Sequence, residues 1–390
     1  MTFALRVWYT VIMQTNFELK KHNTVKIFSA LKGCASLSRK ELSTLTGLSW
    51  GSVSAITAEL LQRGIAVAEK EASAGGRPAE KLALNGERFL QLGVDVNSVG
   101  LNFVVVNLRG ETVHAEFAPL DSREKDALLS ALFKKTEGIV KAFPYVTGIN
   151  ISMQGKINRK TGVSLRTNFF KDWKNVPLVE LFENRFSLPT ALYHDPDCLL
   201  AYHLRNDPRL AGKNDGFAVR VDDGIGMARL IGGKLYETGD DTSFELGHIV
   251  SVRGGNPCPC GKRGCLETYA SIRGMKDSFE RTATDGQNGD FLTLLKNEDE
   301  RINAVLHTAT DHLGVALANL FTLSAPEFIL LDGALFSYAP YCFAEIAEKT
   351  ENSLCDECSL LLAAYKKEAP AIGACLLTIE KITEEILFGL

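Results

Sequence analysis

Residues 245–267 read ELGHIVSVRGGNPCPCGKRGCLE. One imidazole, His248, is followed by three thiols, Cys258, Cys260 and Cys265. Four soft ligands of this kind suit a tetrahedral zinc ion, with Zn–S near ~2.3 Å and Zn–N near ~2.0–2.1 Å. Gly261 and Gly264 let the chain turn sharply enough for sulfurs two and five residues apart to converge. A closed set of four protein ligands leaves no position for a substrate, so the Zn2+ is expected to be structural; the alternative is a reduced, metal-free loop. Glu245 stands just before His248, and Glu267 just after Cys265. A metal that fixes this loop therefore fixes two carboxylates beside the imidazole.

The surrounding chain sets limits. At 390 residues, with 45% apolar and 23% charged, it can bury the cores of two or three domains. No run approaches the roughly 18–20 apolar residues of a membrane span, and the apolar start, residues 1–17, lacks the layout of a signal peptide. It is expected to be a loose arm on a cytoplasmic protein. Nine cysteines, odd in number and unevenly placed, argue against a disulfide framework. Cys355 and Cys358, a lone C-x-x-C without a nearby histidine, read as core thiols on a helix. Residues 1–90 carry a net charge of +5 and the remainder −9, which suggests an anionic partner for the first part only.

That first part has its own pattern. Val25, Ile27, Phe28 and Leu31 have helical spacing, and Gly33 ends the run. Ser38 with Glu41 is a capping-box signature, Thr46-Gly47-Leu48 is a tight turn, and Ser49 is placed to cap the next helix. On that helix Val53, Ile56 and Leu60 share a face, which leaves Trp50, Ser52, Ser54 and Thr57 looking outward. Two short helices around a glycine turn predict a helix-turn-helix with its second helix aimed at the major groove. Two strands flank Ala72–Ala79 as a wing, with Arg77 at its tip positioned for a minor groove. Ser49, Trp50, Ser52, Ser54 and Arg77 are the expected DNA contacts. A helical protein-interaction module would show the same apolar period; the basic excess favours DNA. Few of the outward residues read bases well, so specificity would draw on hydroxyls, water and DNA shape.

From Leu92 strands alternate with helices in two successive sets, which predicts two α/β lobes with a cleft between them. The ordered motifs GVDVNSVG, GINISMQGKIN, TGVSLRTNFFKDW, LYHDPD, DGIGMARLIGGKLY, the ELGH-to-CLE block, ILLDGAL and AIGACLL resemble the ROK family (repressor, open reading frame, kinase). The likeness covers residues 20–390 and includes the N-terminal winged helix of the repressor branch. It implies a winged helix-turn-helix at 18–90 and a two-lobed, actin-like sugar-kinase body of ribonuclease H-like type. Lobe 1 would span 91–197, joined by a C-terminal helix at about 375–390, and lobe 2 would span 198–374 with the zinc loop. Assembly as a homodimer or homotetramer is implied too.

The resemblance also assigns a site. Residues matching the family's sugar contacts are Glu245, His248 and Glu267 from one lobe, with Asn168 and Asp195 from the other. His194 joins them as a departure, because His194-Asp195-Pro196-Asp197 stands where the family has Asn-Asp-Ala-Asn. Asp195 matches the kinase base, but the phosphate turns are degraded. Asp95-Val96-Asn97-Ser98-Val99 replaces Asp-Ile-Gly-Gly-Thr, Asp222-Asp223-Gly224 replaces Gly-Thr-Gly, and Asp332-Gly333-Ala334 replaces a triple glycine. Lost glycines deny the close backbone approach a phosphate needs, and the added carboxylates at 222 and 223 would repel it. The expectation is a non-enzymatic repressor of sugar metabolism that binds operator DNA and a sugar or sugar-phosphate effector, with no membrane partner. The alternative is an ATP-dependent sugar kinase carrying a DNA-binding module.

Overall fold

The computed structural model describes residues 3–70, 80–236, 244–282, 289–354 and 359–388. Helix α1 runs unbroken from Phe3 to Gly33. The expected loose arm is thus continuous with the first helix, since neither glycine nor proline interrupts residues 3–32. Strand β1 (Leu37–Ser38), helices α2 (Arg39–Thr46) and α3 (Trp50–Gln62), and strands β2 (Ala66–Lys70) and β3 (Glu80–Leu84) follow in winged-helix order. The Ser38 hydroxyl accepts from the Glu41 N–H at 3.2 Å while the Ser38 N–H donates to the Glu41 carboxylate at 2.7 Å, closing the capping box. Gly47, at φ 69°, ends α2, and the Ser49 hydroxyl caps α3 by accepting from Ser52 N–H. The wing strands pair as β1-β3-β2; the tip with Arg77 lies outside the described residues.

The body repeats one sheet plan. Strands β4 (Leu90–Val96), β5 (Gly100–Val106) and β6 (Thr112–Pro119) form an antiparallel meander, followed by helix α4 (Lys125–Ala142) and strand β7 (Val146–Met153). A small sheet of β8 (Lys156–Asn158), β9 (Val163–Arg166) and β10 (Lys174–Val176) then leads to α5 (Leu178–Phe186), β11 (Thr190–His194) and α6 (Asp195–Asn206). The second meander is β12 (Gly216–Val221), β13 (Ile225–Ile231) and β14 (Lys234–Leu235). Beyond it come α7 (Glu267–Ala270), α8 (Ile272–Thr282), α9 (Phe291–Lys296) and α10 (Asn303–Ser324). Next are β15 (Ile329–Asp332), α11 (Ala334–Tyr338), α12 (Cys342–Glu351), β16 (Leu360–Leu362) and α13 (Ala369–Phe388). The strand orders, β11-β7-β4-β5-β6 and β14-β13-β12-β15-β16, are the same arrangement used twice. Central strands β4, β5, β12 and β15 are buried throughout, which is why they read as apolar runs without alternation. No described helix is long and apolar enough to cross a membrane.

Helix α13 lies across β4, β5 and β7 and against α6. Two glycines permit this approach: a Cβ on Gly373 would fall 1.8 Å from the Cys198 carbonyl oxygen, and one on Gly93 2.2 Å from that of Ala371. The same helix joins the N-terminal module to the body. Ile27, Phe28, Val53 and Leu60 share one core with Val104, Val106, Ile372, Leu376 and Leu387. At its far end, Arg63 donates to the Ile386 and Leu387 carbonyls, which a helix terminus otherwise leaves without partners. Gly373→Ala is expected to lower stability by about 1–3 kcal/mol through overpacking. Chemical denaturation measures it, and an unchanged midpoint would contradict the close contact of α6 and α13.

Candidate ligand cleft and metal centre

Between β14 and α7, the described residues from Phe244 onward form a 3₁₀ turn at Leu246–His248 and fold back on themselves before α7. Gly261 and Gly264 sit at φ 92° and 77°, and a Cβ on Gly264 would fall 1.6 Å from the Val252 carbonyl oxygen. Only glycine fits there. The loop thus brings the donor atoms of His248, Cys258, Cys260 and Cys265 within 4.8 Å of one another. Cys258 Sγ lies 3.6 Å from His248 Nδ1, and Cys260 Sγ lies 3.6 Å from Cys265 Sγ. A tetrahedron with bonds of ~2.3 Å has edges of about 3.8 Å, so the four expected residues could hold a metal ion and are compatible with zinc.

His248 turns Nδ1 toward the sulfurs and Nε2 toward the cleft. Glu245 approaches Nε2 at 3.6 Å and Glu267 approaches Nδ1 at 3.7 Å. Glu267 is buried; Glu245 is half exposed at the rim. All six residues expected to meet a sugar, Asn168, His194, Asp195, Glu245, His248 and Glu267, line one cleft. Asn168 follows β9, His194 ends β11 and Asp195 opens α6, so the two lobes each contribute three. Burial holds the His194 imidazole below its ordinary pKa, and its Nδ1 has no hydrogen-bond partner.

The opposite end of the cleft holds a residue the sequence reading missed. Arg220, buried within β12, donates from Nε to Asp222 at 2.6 Å and from Nη1 to Asp195 at 3.0 Å. Asp222 also accepts from Gln154 Nε2 at 2.9 Å and from the Ala334 N–H. Gln154 in turn accepts from the Ser98 N–H, which ties the first phosphate turn to the second across the lobes. Asp222, read in the sequence as one of two carboxylates that would repel a phosphate, is thus paired with a guanidinium within its own lobe. Asp95 accepts from Asn97, Asn102 and Ser152, and Asp332 is paired with His203 at 2.6 Å. One signal was available, a charged residue inside the otherwise apolar GFAVRV strand.

Burial pushes the Asp195 carboxyl up to about 7, opposed by Arg220 and reinforced by Asp95 and Asp222. Burial also works against the Arg220 charge, but the surrounding acids outweigh it and hold its pKa above the ordinary value.

Around α3, Trp50 is 60% exposed and Ser49 is exposed. Ser52 and Ser54 are half-buried, and the Ser49 and Ser52 hydroxyls lie 3.0 Å apart, partly engaged in the cap. Thr57 departs from expectation. It is fully buried and accepts from Arg39 Nε at 3.1 Å, because it falls beside the Val53–Ile56 face. Cys355 and Cys358 lie outside the described residues.

Arg220→Met is expected to cost about 3–5 kcal/mol at pH 8, because it strands buried carboxylates without a counter-ion. A buried acid with a raised pKa keeps its proton in the folded state, so stability falls as pH rises from the unfolded value near 3.8 to about 7 for Asp195. Removing Arg220 extends that loss to higher pH. The deficit should therefore shrink at pH 5, as measured by urea denaturation at both values; a pH-independent deficit would contradict the assignment.

The ROK family profile matches residues 91–381. The xylose repressor of Bacillus spizizenii is 23% identical, over 93% of this chain and 96% of its own length. Among solved structures, a ROK family transcriptional regulator homologous to the E. coli Mlc protein superposes with a TM-score of 0.76 at 22% identity, covering 95% of this chain and 98% of that one. A ROK family glucokinase from Streptomyces griseus, in complex with glucose and AMPPNP, gives a TM-score of 0.65 at 22% identity over 74% of this chain and 98% of its own. The regulator's match extends over the N-terminal helices as well as the two-lobed body, whereas the kinase covers a share of the chain close to that of the body alone. The chain belongs to the ROK family.

Proposed function

We propose that this protein is a DNA-binding transcriptional repressor of sugar metabolism, controlled by a sugar or sugar phosphate in the cleft, and that it no longer transfers phosphate. The observation that carries the reading is Arg220, held between Asp195 and Asp222. A kinase needs Asp195 free to take a proton from a sugar hydroxyl and an open seat beside it for a triphosphate. Here the carboxylate is committed to a guanidinium, and Asp95, Asp222 and Asp332 are each committed to partners within the protein. Asp195 is then a vestigial base that serves the sugar as a hydrogen-bond acceptor.

Asn168, His194, Asp195, Glu245, His248 and Glu267 would hold the sugar hydroxyls, since carboxylates and amides can each engage two neighbouring hydroxyls and reject ligands that lack them. Zinc on His248, Cys258, Cys260 and Cys265 would be structural, orienting His248 and Glu267 without touching the ligand. The divisions at about residues 17, 90, 197 and 374 serve this reading: an N-terminal segment, a winged helix, and two lobes in a cytoplasmic homodimer or homotetramer. Ser49, Trp50, Ser52, Ser54 and Arg77 would meet operator DNA. Half-sites lie roughly 34–36 Å apart per helical turn, so a modest rotation of paired modules prevents simultaneous contact. A ligand achieves this only by binding the two arrangements with different affinity.

Metal analysis of the purified protein should find about one zinc per chain, and chelation should lower Tm, as for other closed four-ligand sites; a metal-free protein of unchanged Tm would refute the assignment. A panel of sugars and sugar phosphates, read on Tm and on operator binding, should yield at least one compound that raises Tm and alters DNA affinity. That affinity should fall steeply with salt. Sugar-dependent ADP production that disappears in Asp195→Ala would instead establish the kinase.

A further inference from the structure

The small sheet at the cleft mouth carries an unusual row of charge. Its register sets Lys156 directly opposite Arg166, and Arg166 directly opposite Lys174. Directly paired residues project from the same face of a sheet, and strands stand about 4.8 Å apart, so three cationic side chains share one line roughly 10 Å long. Lys156 and Arg166 both line the cleft. None of the three has an ion-pair partner among the described residues. The other cations of the cleft are matched: Arg220 by Asp195 and Asp222, and Arg273 by Glu267 at 3.6 Å. Like charges set opposite one another oppose strand pairing, weakly in water, and no ion pair among the described residues offsets this row. An anion lying between them would.

Resting on the reading of the cleft as a sugar site, we infer that its ligand carries an anionic substituent, a phosphate monoester or a carboxylate, seated between Lys156 and Arg166. Asn168 follows Arg166 by two residues, so a sugar held by Asn168 places its substituent beside this row. Gly155, at φ 101°, draws the strands together there, since a Cβ would fall 2.5 Å from the Arg166 carbonyl oxygen. The arginine fork matches the paired oxygens of either anion, and the lysine adds a compact second charge. Lys174, one strand further out, adds to the attracting field.

Isothermal titration of the full chain tests this with neutral aldoses, their phosphates and the corresponding uronic acids. At least one anionic sugar should bind roughly tenfold or more tightly than its neutral parent, the gain of a charge-assisted contact, and added salt should narrow the gap. The phosphate and uronate arms identify which anion is used. Arg166→Gln and Lys156→Gln should each shrink the preference, and the double variant should leave it within about twofold, as for screened surface charges. Unliganded Tm should hold or rise in these variants, because a repulsion is removed, so a lost preference is not lost folding. Neutral parents that bind as tightly as their anionic derivatives would overturn the inference while leaving the sugar site standing, as would a preference that survives the double variant. If no sugar of either charge binds, the sugar-site reading falls and this inference falls with it.

Discussion

Arg220 brings a full positive charge into a strand whose other side chains are apolar, and the burial is tolerable because acids from three parts of the chain converge on it. Asp222 follows it in the same lobe, Asp195 opens α6, and Asp95 lies near the end of β4, the first strand of the other lobe. Removing Arg220 would leave buried carboxylates in low dielectric without their counter-ion, which costs more than the pair itself contributes. The network therefore constrains how the lobes meet. Gln154 extends the constraint by bonding to both phosphate turns.

The other end of the cleft is shaped by a different device. Its loop has little regular structure and depends on glycines that allow left-handed turns and on four convergent donors. The two ends meet at α6, which begins with Asp195 and packs against α13 through Gly373. Helix α13 shares its core with α1 and α3, and its last carbonyls are held by Arg63. A continuous packed path thus runs from the cleft floor to the helix assigned to DNA. Such a path permits coupling; a ligand uses it only by favouring one arrangement over another.

Much of this was legible in order along the chain. Apolar runs bounded by turns located β4, β7, β11 and β15, and the Ser38–Glu41 and Ser49 caps marked α2 and α3, because local hydrogen bonds obey local spacing. The cluster of His248, Cys258, Cys260 and Cys265 was legible for a similar reason: three thiols and two glycines within one loop have few ways to converge. Thr57 was misjudged because helical spacing resolves a face only to within about one position. At the start, the absence of glycine and proline lets α1 run from Phe3 to Gly33.

By itself the sequence determined which elements form, where the four donors that could hold a metal lie, and which residues stand at 95–99, 222–224 and 332–334. These properties depend on neighbours a few residues apart. Only the tertiary structure decided that Arg220 pairs with Asp195 and Asp222, how closely α6 and α13 approach, and that Lys156, Arg166 and Lys174 fall in one row. Charges distant along the chain acquire meaning from the partners that folding places around them, and spacing alone cannot name those partners.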